Sequence, residues 1–519
     1  MKKYYLILFV FVLIPRFSFC YTCCYGDEFV DHLKCDRGNE FTSRTFMLTR
    51  PVSQSLAADQ SLWHDFIYDK HDHKDSLQSS FQLIGFYQGS ICREETTKYF
   101  LFDFKSCLRV LGDQKAIDDN GRLKGFRDIR AEWLGLPSDF QGAFTVDPKQ
   151  KQMGVVIEFN QNLKKFSDSD LFKRFWFSAI FPLVYVQNNM NLCQFDVFNQ
   201  GQDCPKDIVE AFRQCDWRFS KIGGKQSRFS VTPIEIKFGG AYLSDGNNQI
   251  VQYSTILIPI GEEDENRYLF EPTVGYNGHL GYGTGVNFQF VLNRDNDFYD
   301  FCFFLNLEGV FLIRNRHYRT FDLKGKCTPC GRGKNPWSRY LLFNKKDGPP
   351  NLKVPGVNVL TKYVRVRPYN MVDFSIGWRV KGDNFELELG YNIWGHGAER
   401  IECIKKFKDE WGIAGVSQPG DDFARSASLS TIGELKATPE EDLPADEDPV
   451  FVSICASDLD LDSAASQGAL NHKFHFAGGF ERKGESVDSF FGGGLYYEIP
   501  QKNSALKNWG IWVKMGGSF

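Results

Sequence analysis

The chain has 519 residues, 15 % of them aromatic, and its 61 basic and 65 acidic side chains leave a formal net charge of −4. A charge this close to balance predicts no surface for nucleic acid. No stretch beyond the N-terminal segment approaches eighteen consecutive apolar residues, so the sequence contains no membrane-spanning helix pattern. The 49 Phe and 47 Gly residues fit the interfacial aromatic side chains and tight corners of β structure.

The first twenty residues have the layout of a secretory signal peptide. Two lysines follow Met1, residues 4–15 are almost entirely apolar, and Ser18 and Cys20 are small residues before a cleavage point. The apolar run is too short for a transmembrane helix. We therefore predict an exported protein with residues 1–20 removed, followed by an N-terminal periplasmic or plug-like segment at residues 21–79.

Segments that alternate apolar and polar residues recur from residue 80 onward. Asp-Gly and Asn-rich turns between such segments, as at residues 244–248, are strong hairpin signals. Pro182 lies inside one long apolar strand and predicts a bulge or an edge-like position there. The predicted strands are residues 81–87, 98–104, 154–162, 175–186, 231–243, 249–261, 271–280, 281–292, 298–314, 363–380, 384–393, 473–481, 490–499 and 509–519.

Short turns between these strands alternate with long loops of biased composition. The long loops are residues 111–148, 188–228, 315–357 and 396–469. Only helices and closed barrels satisfy their backbone in lipid, and barrels combine short turns at one end with long loops at the other. The fold prediction is therefore all-β: a transmembrane antiparallel β-barrel of about 12 to 14 strands, over residues 80–519, with long and partly helical loops.

The last eleven residues read as one membrane-type strand. One face carries Trp509, Ile511, Val513, Met515 and Phe519, and the other carries Gly510, Trp512, Lys514, Gly516 and Ser518. This pattern resembles the closing strand of Gram-negative outer-membrane barrels, although Gly517 stands where those proteins have a larger apolar residue. The resemblance implies a location in the bacterial outer membrane and a role for Phe519 as the signal read by the barrel-assembly machinery. Among barrels of this size, the chain is similar to porins and long-chain fatty-acid transporters, without a motif that carries over a ligand site.

If the apolar face of each strand meets lipid, the other face lines the lumen. The predicted lumen-lining residues are Arg365, Arg367, Asp373, Arg379, Glu386, Glu388, Glu158, Glu235, Lys237, Glu308 and Lys514. Charged side chains are costly in lipid but are accommodated in a wet or hydrogen-bonded interior. Two interpretations follow: an aqueous pore whose Arg and Glu rows order permeating solutes, or a structural salt-bridge network that plugs a narrow barrel.

Fourteen cysteines is a high number for an exported bacterial protein of this length. In an oxidising compartment, cysteines in loops are expected to form disulfides. The disulfide candidates are Cys327, Cys330, Cys193, Cys204 and Cys215. Cys302 lies within a strand and is predicted to be a small buried thiol. No second Cys-x-x-Cys accompanies Cys327 and Cys330, so a zinc site is not predicted.

The sequence contains no Gly-x-Ser-x-Gly elbow and no His-Glu-x-x-His helix, so neither an enzyme activity nor a cofactor or metal is predicted. The predicted function is passive passage of small solutes through a porin-like channel or a diffusion-type transporter. The alternative is a structural or surface-interaction barrel whose Cys-stapled loops bind a partner. A barrel enzyme acting on lipids is a third hypothesis.

Overall fold

The structure of the protein is a computed structural model. It describes residues 43–54, 79–116, 127–166, 174–203, 205–231, 233–244, 248–261, 263–295, 299–325, 334–402, 407–416, 422–427, 430–436 and 451–519. All of them belong to one compact unit, Cys35–Phe519. Among these residues, no helix is both long and apolar enough to cross a membrane.

Twelve long antiparallel strands close into a barrel. They are β1 (Ser79–Ile91), β2 (Lys149–Asn162), β3 (Phe175–Asn189), β4 (Ile234–Ser244), β5 (Gln249–Ile258), β6 (Gly281–Asp295), β7 (Tyr299–Leu312), β8 (Asn370–Lys381), β9 (Phe385–His396), β10 (Ala469–Arg482), β11 (Asp488–Pro500) and β12 (Lys507–Ser518). Each strand pairs with the next one in sequence, and β12 pairs with β1. This confirms the predicted antiparallel barrel, at the lower end of the predicted strand number.

The alternation along each strand separates an apolar exterior from a polar interior. On β12, Trp509, Ile511, Val513 and Met515 are 41–54 % exposed, whereas Lys514 on the opposite face is 1 % exposed. Successive side chains of a strand point to opposite faces, so a strict period of two is enough to produce both surfaces. The seam between first and last strand extends to the final residue, since the Phe519 N–H donates to the Ser79 carbonyl (2.9 Å) and the Ser79 N–H to the Phe519 carbonyl (3.0 Å).

The two ends of the barrel differ in the connections between their strands. At one end, the turn end, the strands are joined by residues 163–174, 245–248, 296–298, 382–384 and 483–487. At the other end, the connections are residues 92–148, 190–233, 259–280, 313–369, 397–468 and 501–506. Described residues of these six connections pack around one large hydrophobic cluster, and we call this folded layer the cap.

The cap contains short elements. Its helices are α1 (Glu94–Phe100), α2 (Asp113–Ala116), α3 (Ile208–Ala211) and α4 (Gly356–Val359). Its short strands are Leu108–Leu111, Ile129–Arg130, Gln141–Thr145, Cys193–Phe198, Asn315–Thr320, Asp322–Leu323, Leu342–Lys345, Val354–Pro355, Thr361–Arg367, Arg400–Ile401, Trp411–Ile413 and Leu459–Asp460. A further strand, Lys225–Val231, pairs with the cap half of β3. The 3-10 turns of the described chain are Val52–Gln54, Ala131–Leu134, Lys164–Phe166, Ser338–Tyr340, Ala456–Asp458 and Leu461–Ala464.

Pro182 marks a change of neighbour along β3. On one side β3 pairs without interruption with β2. On the other side it pairs with β4 up to Ile180 and with Lys225–Val231 from Leu183 onward. Proline has no N–H to donate, so it is tolerated where a partner strand ends.

Three predicted strands are wrong. Residues 98–104 overlap α1, whose Tyr99 and Phe100 are buried in the cap cluster. Residues 271–280 are irregular, because Gly275, Asn277 and Gly278 have positive φ, which a strand does not allow. Residues 363–380 form two separate strands, and the break falls at Pro368 and Tyr369.

Candidate functional site in the barrel lumen

Nine of the eleven predicted lumen residues lie on barrel strands with their side chains directed inward. Asp373 and Arg379 are on β8, Glu386 and Glu388 on β9, Glu158 on β2, Glu235 and Lys237 on β4, Glu308 on β7, and Lys514 on β12. All of them are buried except Asp373, whose side chain is 12 % exposed. Whether a side chain faces the lumen is thus set by its odd or even position along the strand.

Arg365 and Arg367 are not in the lumen, so that part of the prediction is wrong. Both lie on the cap strand Thr361–Arg367 with exposed side chains, and Arg365 pairs with Glu402 at 3.3 Å. The break at Pro368 separates this strand from β8, so the parity counted along one continuous strand does not apply to it.

Arg379 is the centre of an ion-pair network in the turn half of the lumen. Its Nη2 lies 2.6 Å from Glu388 Oε2, its Nε 2.6 Å from Glu386 Oε1, and its Nη1 donates to Gln289 Oε1 at 2.6 Å. The second oxygen of Glu388 contacts His475 Nε2 at 2.9 Å. Arg379 and Glu388 face each other directly in the β8–β9 register, so the pair is built into the strand pairing.

A second group of interior polar residues connects β4, β5 and β7. Glu235 accepts a hydrogen bond from Thr255 at 3.0 Å and lies 3.2 Å from Lys237 Nζ. The Tyr253 hydroxyl donates to Glu308 at 3.1 Å. These side chains contact one another rather than bordering a broad column of water, since each is less than 9 % exposed.

An N-terminal segment fills the cap half of the lumen. Residues 43–53, which we call the plug segment, are all buried. The segment begins in the cap, where the Thr45 hydroxyl donates to the Thr320 carbonyl at 2.8 Å and the Leu48 N–H to Ser466 Oγ at 3.1 Å. It then enters the barrel, where the Val52 N–H donates to Gln152 Oε1 on β2 at 3.2 Å. Of residues 21–79, predicted to be periplasmic or plug-like, the described part before β1 therefore lies in the cap and lumen.

Arg50 holds the plug segment to the barrel wall. Its guanidinium contacts Asp373 Oδ2 on β8 (2.5 Å), Asn392 Oδ1 on β9 (2.9 Å) and Glu498 Oε1 on β11 (3.3 Å). It also lies over the ring of Trp394 on β9, 5.5 Å from the ring centroid. One side chain thus joins the segment to three strands, through charged contacts that are strong when desolvated.

Apolar contacts and backbone hydrogen bonds complete the fit of the plug segment. Phe46 and Leu48 belong to a buried cluster that includes Tyr276 and Trp394. On the opposite wall, the Arg50 carbonyl accepts from Gln152 Nε2 at 3.1 Å. Sequence reasoning missed this site, and the available signal was Arg50, two residues after the apolar run at residues 46–48.

A buried histidine pair lies in the cap near the rim of the barrel. His279 Nε2 and His317 Nε2 are 3.1 Å apart, and His279 Nδ1 is 2.8 Å from the Ile313 carbonyl. Burial lowers the pKa of His279 to about 4, against the raising effect of its hydrogen bond to Ile313. Burial, together with the positive charge of Arg319, lowers the pKa of His317 to about 2. Both rings are therefore neutral in the folded cap at physiological pH.

The cysteine candidates are only partly described. Cys193 and Cys215 are exposed and carry free thiols, so the structure does not pair them. Cys204, Cys327 and Cys330 lie outside the described residues. Cys302 on β7 is buried, as predicted for a small thiol in a strand.

No protein-family model matches this chain, and no curated protein matches it. Several solved structures are similar to it, each with 8 % sequence identity. They include an outer membrane channel from Pseudomonas putida F1 (85 % of this chain, 95 % of that chain, TM-score 0.35). Others are the transport unit of the autotransporter AIDA-I from Escherichia coli (91 %, 99 %, 0.28) and a Pseudomonas aeruginosa FadL homologue (86 %, 90 %, 0.25). The barrel assignment rests on the strand pairing of this chain.

Proposed function

We propose that this protein spans a bacterial outer membrane and is a gated channel or diffusion-type transporter for small polar solutes, with the plug segment as its gate. The observation that carries the proposal is the contact of Arg50 with three strands in a polar lumen. The lumen end of the plug segment, around Arg50 and Val52, is held by a few directional contacts, so it can shift within the lumen while Thr45 and Leu48 keep their contacts in the cap and the strand ladder stays intact.

The exterior of the barrel supports the membrane location. Outward-facing residues of the barrel strands are large and apolar, such as Trp378 on β8, Leu389 on β9 and Ile511 on β12, and they are 44–60 % exposed. The strands are 10 to 15 residues long, which matches the length of a tilted strand that crosses a bilayer. In lipid this surface would be covered, whereas in water it would be an aggregation-prone apolar band.

The interior supports a closed resting state rather than a permanently open pore. The guanidinium of Arg379 is 2 % exposed and Glu388 is 3 % exposed, so no wide aqueous path passes them in this conformation. The plug segment fills the lumen on the cap side of this network. Solute passage therefore requires the plug segment to move and the interior network to admit water.

A second candidate function, a surface-interaction barrel, is favoured by the cap. Its core contains Trp337, Phe212 and Tyr340, with ring centroids 5.0–5.9 Å apart, and the fully buried Arg339 pairs with Asp322 at 2.6 Å. Such packing makes a rigid outer layer that could present a binding surface.

Planar-bilayer recording separates the two functions. We expect the wild-type protein to show rare openings and the variant Arg50→Met to show frequent ones, because the variant loses the contact that retains the plug segment. A folded barrel that stays silent in both forms would contradict the channel proposal and favour the surface-interaction barrel. Folding is verified independently by resistance to SDS without heating and a shifted band after boiling.

A further inference from the structure

A small three-stranded sheet of the cap exposes a group of arginines at the rim of the barrel. The sheet consists of Asn315–Thr320, Thr361–Arg367 and Arg400–Ile401. Its inner face carries Val364 and Val366, which are buried in the cap core. Its outer face and the adjoining residue 314 carry what we call the arginine patch: Arg314, Arg316, Arg365, Arg367 and Arg400, all exposed.

The sheet places like charges opposite each other twice. Arg316 faces Arg365 across the first strand pair, and Arg367 faces Arg400 across the second. Directly opposed like charges destabilise an antiparallel pair. Among the described residues, the ion pairs of these arginines are made with Glu402 alone, whose two oxygens lie 3.3 Å from Arg314 and from Arg365. Five positive charges against one paired carboxylate leave the patch with a net charge of +4 from these six groups.

The arginine patch continues the apolar exterior of the barrel. Phe311 and Ile313, at the cap end of β7, are 52 % and 51 % exposed, and Arg314 follows Ile313 directly. Val372 on β8 is 50 % exposed and lies five residues after Arg367. At about 3.3 Å per residue, the backbone of Arg314 is within about 10 Å of Phe311 and that of Arg367 within about 17 Å of Val372. The headgroup layer is about 5–8 Å deep on each side of the hydrocarbon core, so the long arginine side chains can reach toward it from the cap side.

Aromatic side chains accompany the arginines on the same face. Tyr318 and Tyr363 are exposed cross-strand neighbours with ring centroids 5.0 Å apart, and Phe219 stacks on Tyr318 at 5.7 Å. Aromatic rings with a polar tip favour the membrane–water interface. A planar guanidinium can donate two parallel hydrogen bonds to the oxygens of one phosphate group, whereas a lysine ammonium acts as a point charge and recognises phosphate less specifically.

We propose that the arginine patch binds the phosphate groups of lipids in the leaflet at the cap end. This inference rests on the membrane location given under Proposed function and is independent of whether the barrel conducts. The ligand class is a phosphorylated lipid headgroup, because the patch combines phosphate-binding side chains with direct continuity to the lipid-facing surface.

The test is binding of lipopolysaccharide, the probe, to the purified full-length chain in a zwitterionic detergent. The double variant Arg316→Gln/Arg367→Gln removes one member of each like-charge pair and breaks no ion pair with Glu402. We expect its apparent affinity to fall about 30-fold, since each cation near an anionic lipid surface contributes roughly a fivefold factor. The matched control Lys206→Gln/Lys346→Gln removes two exposed charges from other cap elements and should bind like the wild type.

Glu402 offers a second test that does not depend on the folding of the double variant. Glu402→Gln removes the competing carboxylate, and we expect about fivefold tighter binding. Equal binding by the arginine variant and the wild type, or equal binding of lipopolysaccharide stripped of phosphate, would overturn the inference. Complete displacement by inorganic phosphate at matched concentration would also overturn it, because it would indicate a free-anion site. If the membrane location is wrong, cell fractionation will show it separately, because the chain will be absent from the membrane fraction.

Discussion

Replacing Arg50 with methionine keeps the bulk of the side chain and removes its charge. Asp373 and Glu498 are then left inside the lumen without the guanidinium that now contacts them at 2.5 and 3.3 Å. Both carboxylates are almost inaccessible, at 12 % and 1 % exposure. Breaking a buried ion pair by removing one partner costs about 3–5 kcal/mol, and we take the lower value because water can enter near Asp373.

This free energy is expected to act on the plug segment and not on the strand ladder, because Arg50 takes part in none of the backbone hydrogen bonds between barrel strands. A change of about 3 kcal/mol alters the ratio of released to bound segment by about 150-fold. A resting open fraction of about one in a thousand would then become roughly one in eight. Single-channel recording in planar bilayers measures this change directly as open probability.

Two further variants decide what the recording means. Arg267→Met removes an arginine that is 64 % exposed in the cap, so its open probability should equal that of the wild type. Adding Asp373→Asn and Glu498→Gln to Arg50→Met removes the stranded charges, so stability should recover while the openings persist. If Arg50→Met lowers the thermal transition and leaves open probability unchanged, Arg50 has only a structural role and the gating argument is refuted.

Three other predictions concern the lumen network, the cap and the seam. Arg379→Ala leaves Glu388 buried without its main partner, so we expect a loss of about 3–5 kcal/mol in barrel stability, measured from the temperature at which the SDS-resistant band disappears; an unchanged transition would contradict the network. His279 and His317 have pKa values in the folded cap below the ordinary 6.5, so below about pH 6.5 the unfolded cap binds more protons than the folded cap. The stability of the cap should therefore fall as the pH drops from about 6.5 toward 4. Limited proteolysis across this pH range measures that loss, which should be smaller when both histidines are replaced by Gln. Deletion of Phe519 removes two seam hydrogen bonds and should lower the fraction of SDS-resistant barrel in the membrane, whereas an unchanged yield would count against its predicted role in assembly.

The barrel and its lumen-facing charges were predictable because they depend on a local period of two. Arg379 and Glu388 are nine residues apart, and hairpin parity alone places them on the same face. The same reasoning failed for Arg365, because it counted parity through Pro368 as if the strand were continuous. Proline is visible in the sequence, and treating it as a break would have moved Arg365 and Arg367 out of the lumen.

The plug segment and the cap could not be predicted in the same way. Arg50 contacts Asp373 and Glu498, which are 323 and 448 positions away, and no local pattern encodes such pairings. In the cap, burial overrides composition: Arg339 lies in a loop that reads as polar, yet it is fully buried against Asp322 and the ring of Trp337. Tertiary packing likewise makes a helix of Glu94–Phe100, where adjacent threonines and aromatic residues favour a strand locally.

The closed ring of twelve strands also restricts the order of assembly. The plug segment passes from the cap into a lumen whose wall has no gap, because β12 is hydrogen-bonded to β1 along its length. Threading a bulky stretch that includes Phe46 and Arg50 through a finished, capped cylinder would require the cap to unfold. The simplest route is that the sheet curls around the segment while its edges are still apart, so that pairing of β1 with β12 is the step that traps it. Pairing of β1 with β12 would then be the last step of assembly, and a barrel that closed before the segment was in place would leave the segment outside.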